Sequence, residues 1–299
     1  MRTAAHCLVY LVARAAWAVL ALVPLALLRP ALEGVAGLVM RLDGRHRAIV
    51  ADNLGAAFPE WSDVEVERGV REAFRNWGRI GAELLRAREV MAAADTAWVD
   101  EAEDVRRRLV AEGRGVLVLT AHTGNFELLA RIWGRASAEV VTVFHRPMSN
   151  RFVDAFLLRQ RAAANVQTLG RGSEVRAAMR VLAAGGVLAV PLDQNQPPGR
   201  PGVFVDLFGR PAATATSLAR LSLASGAAVL PVFAAWEAGR PVAIVGRPLR
   251  PDGAAGSAGR DEALRRLTQA YTREIEAVVR RYPYQWNWAH RRWKTRPDK

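Results

Sequence analysis

Short, continuous apolar runs recur along the chain with helical patterns between them, and no other feature restricts its fold as much. Residues 115–121 (Gly-Val-Leu-Val-Leu-Thr-Ala) are too few for a typical helix and begin at a glycine. That is the pattern of a strand buried on both faces. Similar runs lie at 139–144, 187–192 and 227–234, with a fifth at 242–245 and a weaker sixth at 166–169. Apolar residues at helical spacing fill the intervals 126–133, 151–163, 174–183 and 214–224, and a last helix is predicted over 261–281. Upstream, 61–91 reads as one or two helices and 105–111 as a short one. Strands alternating with helices predict an α/β fold with a mostly parallel central sheet flanked by helices. No internal repeat is present, and the Gly/Ala-rich piece 251–259 reads as a surface loop. A single α/β domain accommodates most of the 299 residues.

The exception is the N-terminus. Residues 8–28 (LVYLVARAAWAVLALVPLALL) are apolar apart from Arg14. That length can cross a hydrocarbon core of about 30 Å as one helix. The division expected from sequence is therefore a membrane-anchor helix over 1–30, spanning or half-inserted, and a catalytic domain over 31–299. A buried first helix is the alternative. A cleaved leader fits less well, because the apolar run is long and no small-residue cleavage site precedes Arg29 and Pro30. The net charge of +13 favours anionic partners: nucleic acid, an anionic lipid leaflet, phosphorylated substrates or an acidic carrier protein. Nearly all of the positive charge is arginine, with lysine only at Lys294 and Lys299, a bias that a genome rich in G and C also produces. Cys7 is the sole cysteine, which excludes an internal disulfide and a multi-thiolate metal site.

Chemistry concentrates where the first strand stops, at Ala121-His122-Thr123-Gly124-Asn125-Phe126-Glu127. Open α/β sheets bind ligands beyond the carboxyl ends of their strands. Asn125 is expected to cap the next helix, placing Glu127 in its first turn, where the helix dipole favours a carboxylate. His122 and Glu127, five apart, meet only if the chain turns between them, and Gly124 permits that turn. Two readings stay open on this spacing. In one, the pair is a dyad in which the carboxylate fixes the imidazole tautomer and the imidazole takes a proton from a substrate hydroxyl. In the other, His122 bonds a loop carbonyl and Glu127 is a solvated helix-start charge.

The hexapeptide His122–Glu127 resembles the His-x4-Asp/Glu motif of the glycerolipid acyltransferase superfamily. Within it the chain is similar to the bacterial late acyltransferases of lipid A, the lauroyl/myristoyl transferase family, through three further blocks. These are 143–148 (Val-Phe-His-Arg-Pro-Met), 190–195 (Val-Pro-Leu-Asp-Gln-Asn) with 202–209, and the tail 282–297. Pro231 matches the superfamily's fourth block. The resemblance implies transfer of a fatty acyl group from a thioester, on acyl carrier protein or on CoA, to a hydroxyl of a membrane glycolipid, a lipid A precursor before others. The setting would be the cytoplasmic face of the bacterial inner membrane. His122 would be the general base and Glu127 would orient it. Backbone N–H groups near Gly124, or Arg146, would hold the oxyanion, with no metal or other cofactor required.

Substrate-binding roles are expected of Asn125, Arg146, Arg159, Arg161, Asp193 and Asn195 from their places after strands, on a helix face and on the rim shared with His122. The alternatives are a bystander Arg146, a solvated face bearing Arg159 and Arg161, and a structural Asp193. Arg146 would meet phosphate, Arg159 and Arg161 anionic lipid, and Asp193 and Asn195 acceptor hydroxyls or the loop carrying Arg146. In the tail, Trp286, Trp288 and Trp293 interleave with His290, Arg291, Arg292 and Lys294. That pattern suits an interfacial belt facing anionic headgroups better than a nucleic-acid surface, and a packed C-terminal cap is the structural alternative. Rival functions are acylation of phosphatidylinositol mannosides, of another glycolipid or of a lysophospholipid, a thioesterase using the same histidine with water, and a silent membrane-binding protein.

Overall fold

Every apolar run read as a strand is one. In the computed structural model, which describes residues 2–94, 97–137, 139–145, 147–170, 174–251 and 256–297, the strands in chain order are β1 (Val116–Thr120), β2 (Val141–Phe144), β3 (Val166–Leu169) and β4 (Val187–Pro191). They continue with β5 (Gly202–Leu207), β6 (Arg210–Ala215), β7 (Val229–Glu237) and β8 (Arg240–Val245). Six form the central sheet, in the order β3-β2-β4-β1-β7-β8. All its pairings are parallel except β7 with β8, which turn back through Ala238 and Gly239, both at positive φ. The sheet is thus mostly parallel, and β1 and β4 at its centre are buried except at their ends.

Sequence reasoning missed the β5–β6 hairpin. Its two-residue turn puts both Phe208 (φ 56°) and Gly209 (φ 72°) in the left-handed region. A hairpin turn with two positive φ angles matches the twist of its strands, but a bulky side chain there costs about 1–2 kcal/mol. Phe208 is nevertheless held, because its ring is buried among Phe58, Trp286, Trp288 and Trp293.

Helices cover both faces. α1 (Arg2–Leu20), α2 (Leu25–Leu42), α3 (Gly44–Ala57), α4 (Asp63–Leu85), α5 (Ala87–Ala93) and α6 (Ala97–Ala111) precede the sheet. α7 (Phe126–Ala136), α8 (Arg151–Ala162), α9 (Glu174–Ala183), α10 (Ser217–Ser225) and α11 (Gly256–Arg281) lie between or after its strands. α7 presents Leu128, Leu129, Ile132 and Trp133 to one apolar cluster with β1, β2 and β4. On the other side α4, α10 and α11 pack with the C-terminal tryptophans.

The single helix expected over 8–28 is not formed. The chain breaks between Leu20 and Leu25, and Pro24 stands at the N-cap of α2. A residue before proline is pushed out of the helical region, so the run is divided. Among the described residues no helix is long and apolar enough to cross a membrane. α2 also crosses the proposed boundary at residue 30 and docks tightly on α4: a Cβ on Gly78 would lie 2.5 Å from the Leu32 carbonyl oxygen. Gly78→Ala should therefore destabilise the protein by roughly 1–3 kcal/mol, despite alanine's better helix propensity, and thermal unfolding checks this. Eleven of the sixteen large apolar side chains that stay exposed among the described residues precede residue 43, from Leu8 (63%) through Leu22 (80%) to Leu42 (78%). Exposed apolar side chains concentrated in one segment of the chain make that segment a candidate interaction surface.

Candidate active site

The residue level with His122 on the neighbouring strand decides the site. β1 and β4 pair in register, Thr120 opposite Pro191. Two residues on, His122 and Asp193 leave the sheet side by side. Asp193 receives the His122 backbone N–H on Oδ2 at 2.8 Å and lies 2.8 Å from the ring Nδ1 through Oδ1. Its Oδ2 also accepts the Trp286 indole N–H at 2.8 Å. An ionised Asp193 can only accept, so the Nδ1 proton stays on the ring and Nε2 carries the free lone pair. Burial works against the ionised carboxylate, but the charge and hydrogen bonds of His122 and the Trp286 donor outweigh it, and Asp193 titrates well below the usual carboxylate range. On the imidazole, burial opposes the cation and the Asp193 charge and hydrogen bond more than reverse it, so His122 is a stronger base than an ordinary histidine. The Phe126 ring packs edge-on against the imidazole, centroids 4.6 Å apart.

Glu127 makes a different set of contacts from those expected. It faces two arginines, Arg161 at 2.8 Å and Arg131 at 3.0 Å, and the dyad contact with His122 is not formed. Burial raises its pKa less than the two guanidiniums lower it, so Glu127 is held as a carboxylate. Arg161 spans from Glu127 to His145 Nδ1 at 3.3 Å, and His145 Nε2 reaches Asp154 at 2.8 Å. Both ring nitrogens of His145 are thus occupied, one by Arg161 and the other by Asp154.

The remaining predicted residues divide clearly. Asn125 caps α7, its Oδ1 accepting from the Leu128 N–H at 3.2 Å, while its Nδ2 donates to buried Glu83 at 3.0 Å. It is 4% exposed and belongs to the floor of the loop. Arg161 faces Glu127, and Arg159 is exposed on α8, reaching the Tyr10 hydroxyl at 3.4 Å. Asn195 ties down the tail: its side chain exchanges hydrogen bonds with Thr295, and its backbone N–H donates to His290 Nε2 at 2.9 Å. Arg146 lies outside the described residues.

The tail forms a strap under the site rather than an outward belt. The Gly124 N–H donates to the Gln285 carbonyl at 2.8 Å, so this amide is not free for an oxyanion. Asn287 N–H donates to the His122 carbonyl at 3.0 Å. Trp286, Trp288 and Arg292 are 3%, 0% and 1% exposed, which overturns the interfacial reading for these three. Gly124 itself must be glycine: its φ is 48°, and a Cβ would lie 2.7 Å from the Ala234 carbonyl oxygen.

His122 opens onto a cavity of about 140 Å³ between α7 and the sheet. Its walls are mostly apolar, from Phe126 at the imidazole down to Trp133, with Val143 and Ala189 from the sheet and Glu127 and Arg161 at the side. Thr120 also lines it, and its hydroxyl is buried and without a partner among the described residues. A base beside a narrow apolar cavity suits chemistry on a group at the end of a hydrocarbon chain.

The sequence profile of the bacterial lipid A biosynthesis acyltransferases matches residues 1–295. The chain is 29% identical over 264 residues to the lipid A biosynthesis palmitoleoyltransferase of Escherichia coli (strain K12), covering 85% of this chain and 80% of that one. It is 28% identical over 276 residues to the lipid A biosynthesis lauroyltransferase of the same organism, covering 89% and 84%. A lipid A biosynthesis acyltransferase of Shigella flexneri matches at 29% over 264 residues. The chain belongs to the bacterial lipid A biosynthesis acyltransferase family and is an acyltransferase.

Proposed function

We propose that the protein transfers a fatty acyl group from the thioester of acyl carrier protein directly to a hydroxyl of a lipid A precursor, with His122 as general base. The observation that carries this reading is the His122–Asp193 pair at the mouth of the apolar cavity. The acyl chain lies in the cavity with its thioester carbonyl beside Nε2. The acceptor hydroxyl loses its proton to Nε2 as its oxygen bonds to the carbonyl carbon. Collapse of the tetrahedral intermediate breaks the C–S bond, and the proton passes from His122 to the departing thiolate. No acyl-enzyme is needed, in keeping with a lone cysteine at position 7. The Thr120 hydroxyl is suited to donate to the developing oxyanion.

Asp193 is a positioning residue in this scheme, taking the part that the motif spacing suggested for Glu127. Glu127 keeps Arg131 and Arg161 paired along the cavity wall. The exposed apolar side chains of α1 and α2 seat the protein on the cytoplasmic face of the inner membrane, lying in the surface rather than crossing it.

The pH profile tests the assignment. The base works only when neutral, so kcat/KM should rise with pH through a midpoint above about 6.5, the ordinary histidine value. Asp193→Asn removes the charge that raises the midpoint and leaves the burial that lowers it. Its residual activity should therefore titrate below that of wild type. Glu127→Gln should leave the midpoint in place. A midpoint that moves with Glu127 and not with Asp193 would reject this pairing.

A further inference from the structure

A second, larger cavity of about 660 Å³ lies between α5, α7 and the end of α8. Arg88, Arg131 and Arg135 line it together with Gln160, against a background of alanines, Met91 and Ile132. The three arginines are not equivalent. Arg131 is buried and paired with Glu127, which already serves Arg161. Arg88 and Arg135 are exposed and, among the described residues, have no carboxylate partner. A pocket of this size with guanidiniums on its rim and an amide beside them has the donor set that a phosphate requires.

Its surroundings narrow the ligand. The link between α1 and α2 is fastened next to the cavity, because Arg86 donates to the Ala21 carbonyl at the start of α5. Leu25 packs on the same buried cluster as Ala87 and Met91 of the cavity wall. On the far side α1 rests on α8, Tyr10 on Phe152 and Trp17 on Phe156. The cavity is therefore bordered by the part of the molecule with the most exposed apolar surface, including Leu22 at 80%. When that surface lies in lipid, long basic side chains beside it reach headgroup depth.

We propose that this cavity binds a phosphate group of a membrane lipid, with Arg88 and Arg135 as its principal ligands. The phosphate comes either from the acceptor or from a surrounding anionic phospholipid. The first source rests on the acyl-transfer reading and the second does not.

The test uses the full chain in neutral detergent, the double variant Arg88→Ala/Arg135→Ala, and the charge-matched control Arg200→Ala/Arg240→Ala, whose positions are exposed and away from both cavities. Flotation with phosphatidylcholine vesicles, with and without phosphatidic acid, reads binding independently of activity. Wild type and control should prefer the phosphatidic acid vesicles, and the double variant should lose that preference by about tenfold. If the acceptor supplies the phosphate, the double variant should also raise KM about tenfold for the phosphorylated acceptor at unchanged kcat, and leave a dephosphorylated acceptor unaffected. If a surrounding phospholipid supplies it, both acceptors should behave as in wild type, and only stimulation by phosphatidic acid should disappear. The proposal is overturned if the double variant matches the control in vesicle binding and in both KM values. It is equally overturned if only the KM for acyl carrier protein rises, which would make the arginines a protein-docking surface. Absence of acyl transfer by the wild type would remove the proposed function and leave the vesicle result to stand by itself.

Discussion

Replacing His122 with alanine is expected to lower kcat by roughly 10²–10⁴-fold, the range that a positioned general base supplies. The fold should survive, because the His122 backbone N–H still donates to Asp193 and the Trp286 indole still donates to the same carboxylate. Asp193→Asn should cost a large part of the same factor, since an amide in place of Oδ1 or Oδ2 faces a donor at one of them and disfavours the productive tautomer. The two losses should not multiply. Residues that act through one another are strongly non-additive, so His122→Ala/Asp193→Asn should be about as slow as His122→Ala alone. Steady-state kinetics with matched acyl donors, alongside circular dichroism of each variant, check this. Transfer by His122→Ala within a few-fold of wild type would remove His122 from the chemistry.

Asp193, rather than Glu127, partners His122 because of the order of the strands. The six-residue motif places Glu127 near His122 in sequence, and the turn at Gly124 makes a contact between them easy to imagine. What sequence does not convey is strand order. β1 pairs with β4 rather than with β2, although β2 and β3 intervene in the chain. Only that pairing puts position 193 level with position 122. Glu127, in the first turn of α7, meets Arg161 from α8 instead, a contact that also depends on packing between elements distant in sequence.

The sheet was legible for the opposite reason. Each of its strands is an apolar run whose composition alone demands burial, and Asn125 signalled the start of α7 through a local hydrogen bond. In the β5–β6 hairpin β5 alternates buried and exposed positions, but β6 (Arg-Pro-Ala-Ala-Thr-Ala) carries no large apolar side chain to mark it as a strand. The turn depends on Phe208 accepting a left-handed backbone for the sake of its aromatic neighbours. The N-terminal run misled in another way. Its hydropathy suggested one long helix, while Pro24, visible in the sequence, marked the place where the helix ends.

The tail supplies the second large effect, on stability. Interleaved tryptophans and arginines suggested a membrane belt, in which truncating one tryptophan should cost the fold little. Burial dictates a different outcome. Trp288 is fully buried, its ring meets Phe58, Phe208 and Trp286, and its indole N–H donates to the Pro283 carbonyl at 2.6 Å. Its own carbonyl accepts from Asn53 Nδ2 at 2.7 Å, which pins the tail to α3. Trp288→Ala should therefore destabilise the protein by roughly 3–5 kcal/mol, lowering Tm by about 5–15 °C. Activity should fall as well, because Trp286 and Asn287, just upstream on the same strap, hold Asp193 and the His122 carbonyl. Trp288→Phe keeps most of the ring contacts and should recover much of the loss. Vesicle binding by the folded fraction should be unchanged in both variants, since a residue with no exposed surface cannot meet lipid. A Trp288→Ala protein with wild-type Tm and weakened vesicle binding would restore the belt and remove the strap from the account of the active site.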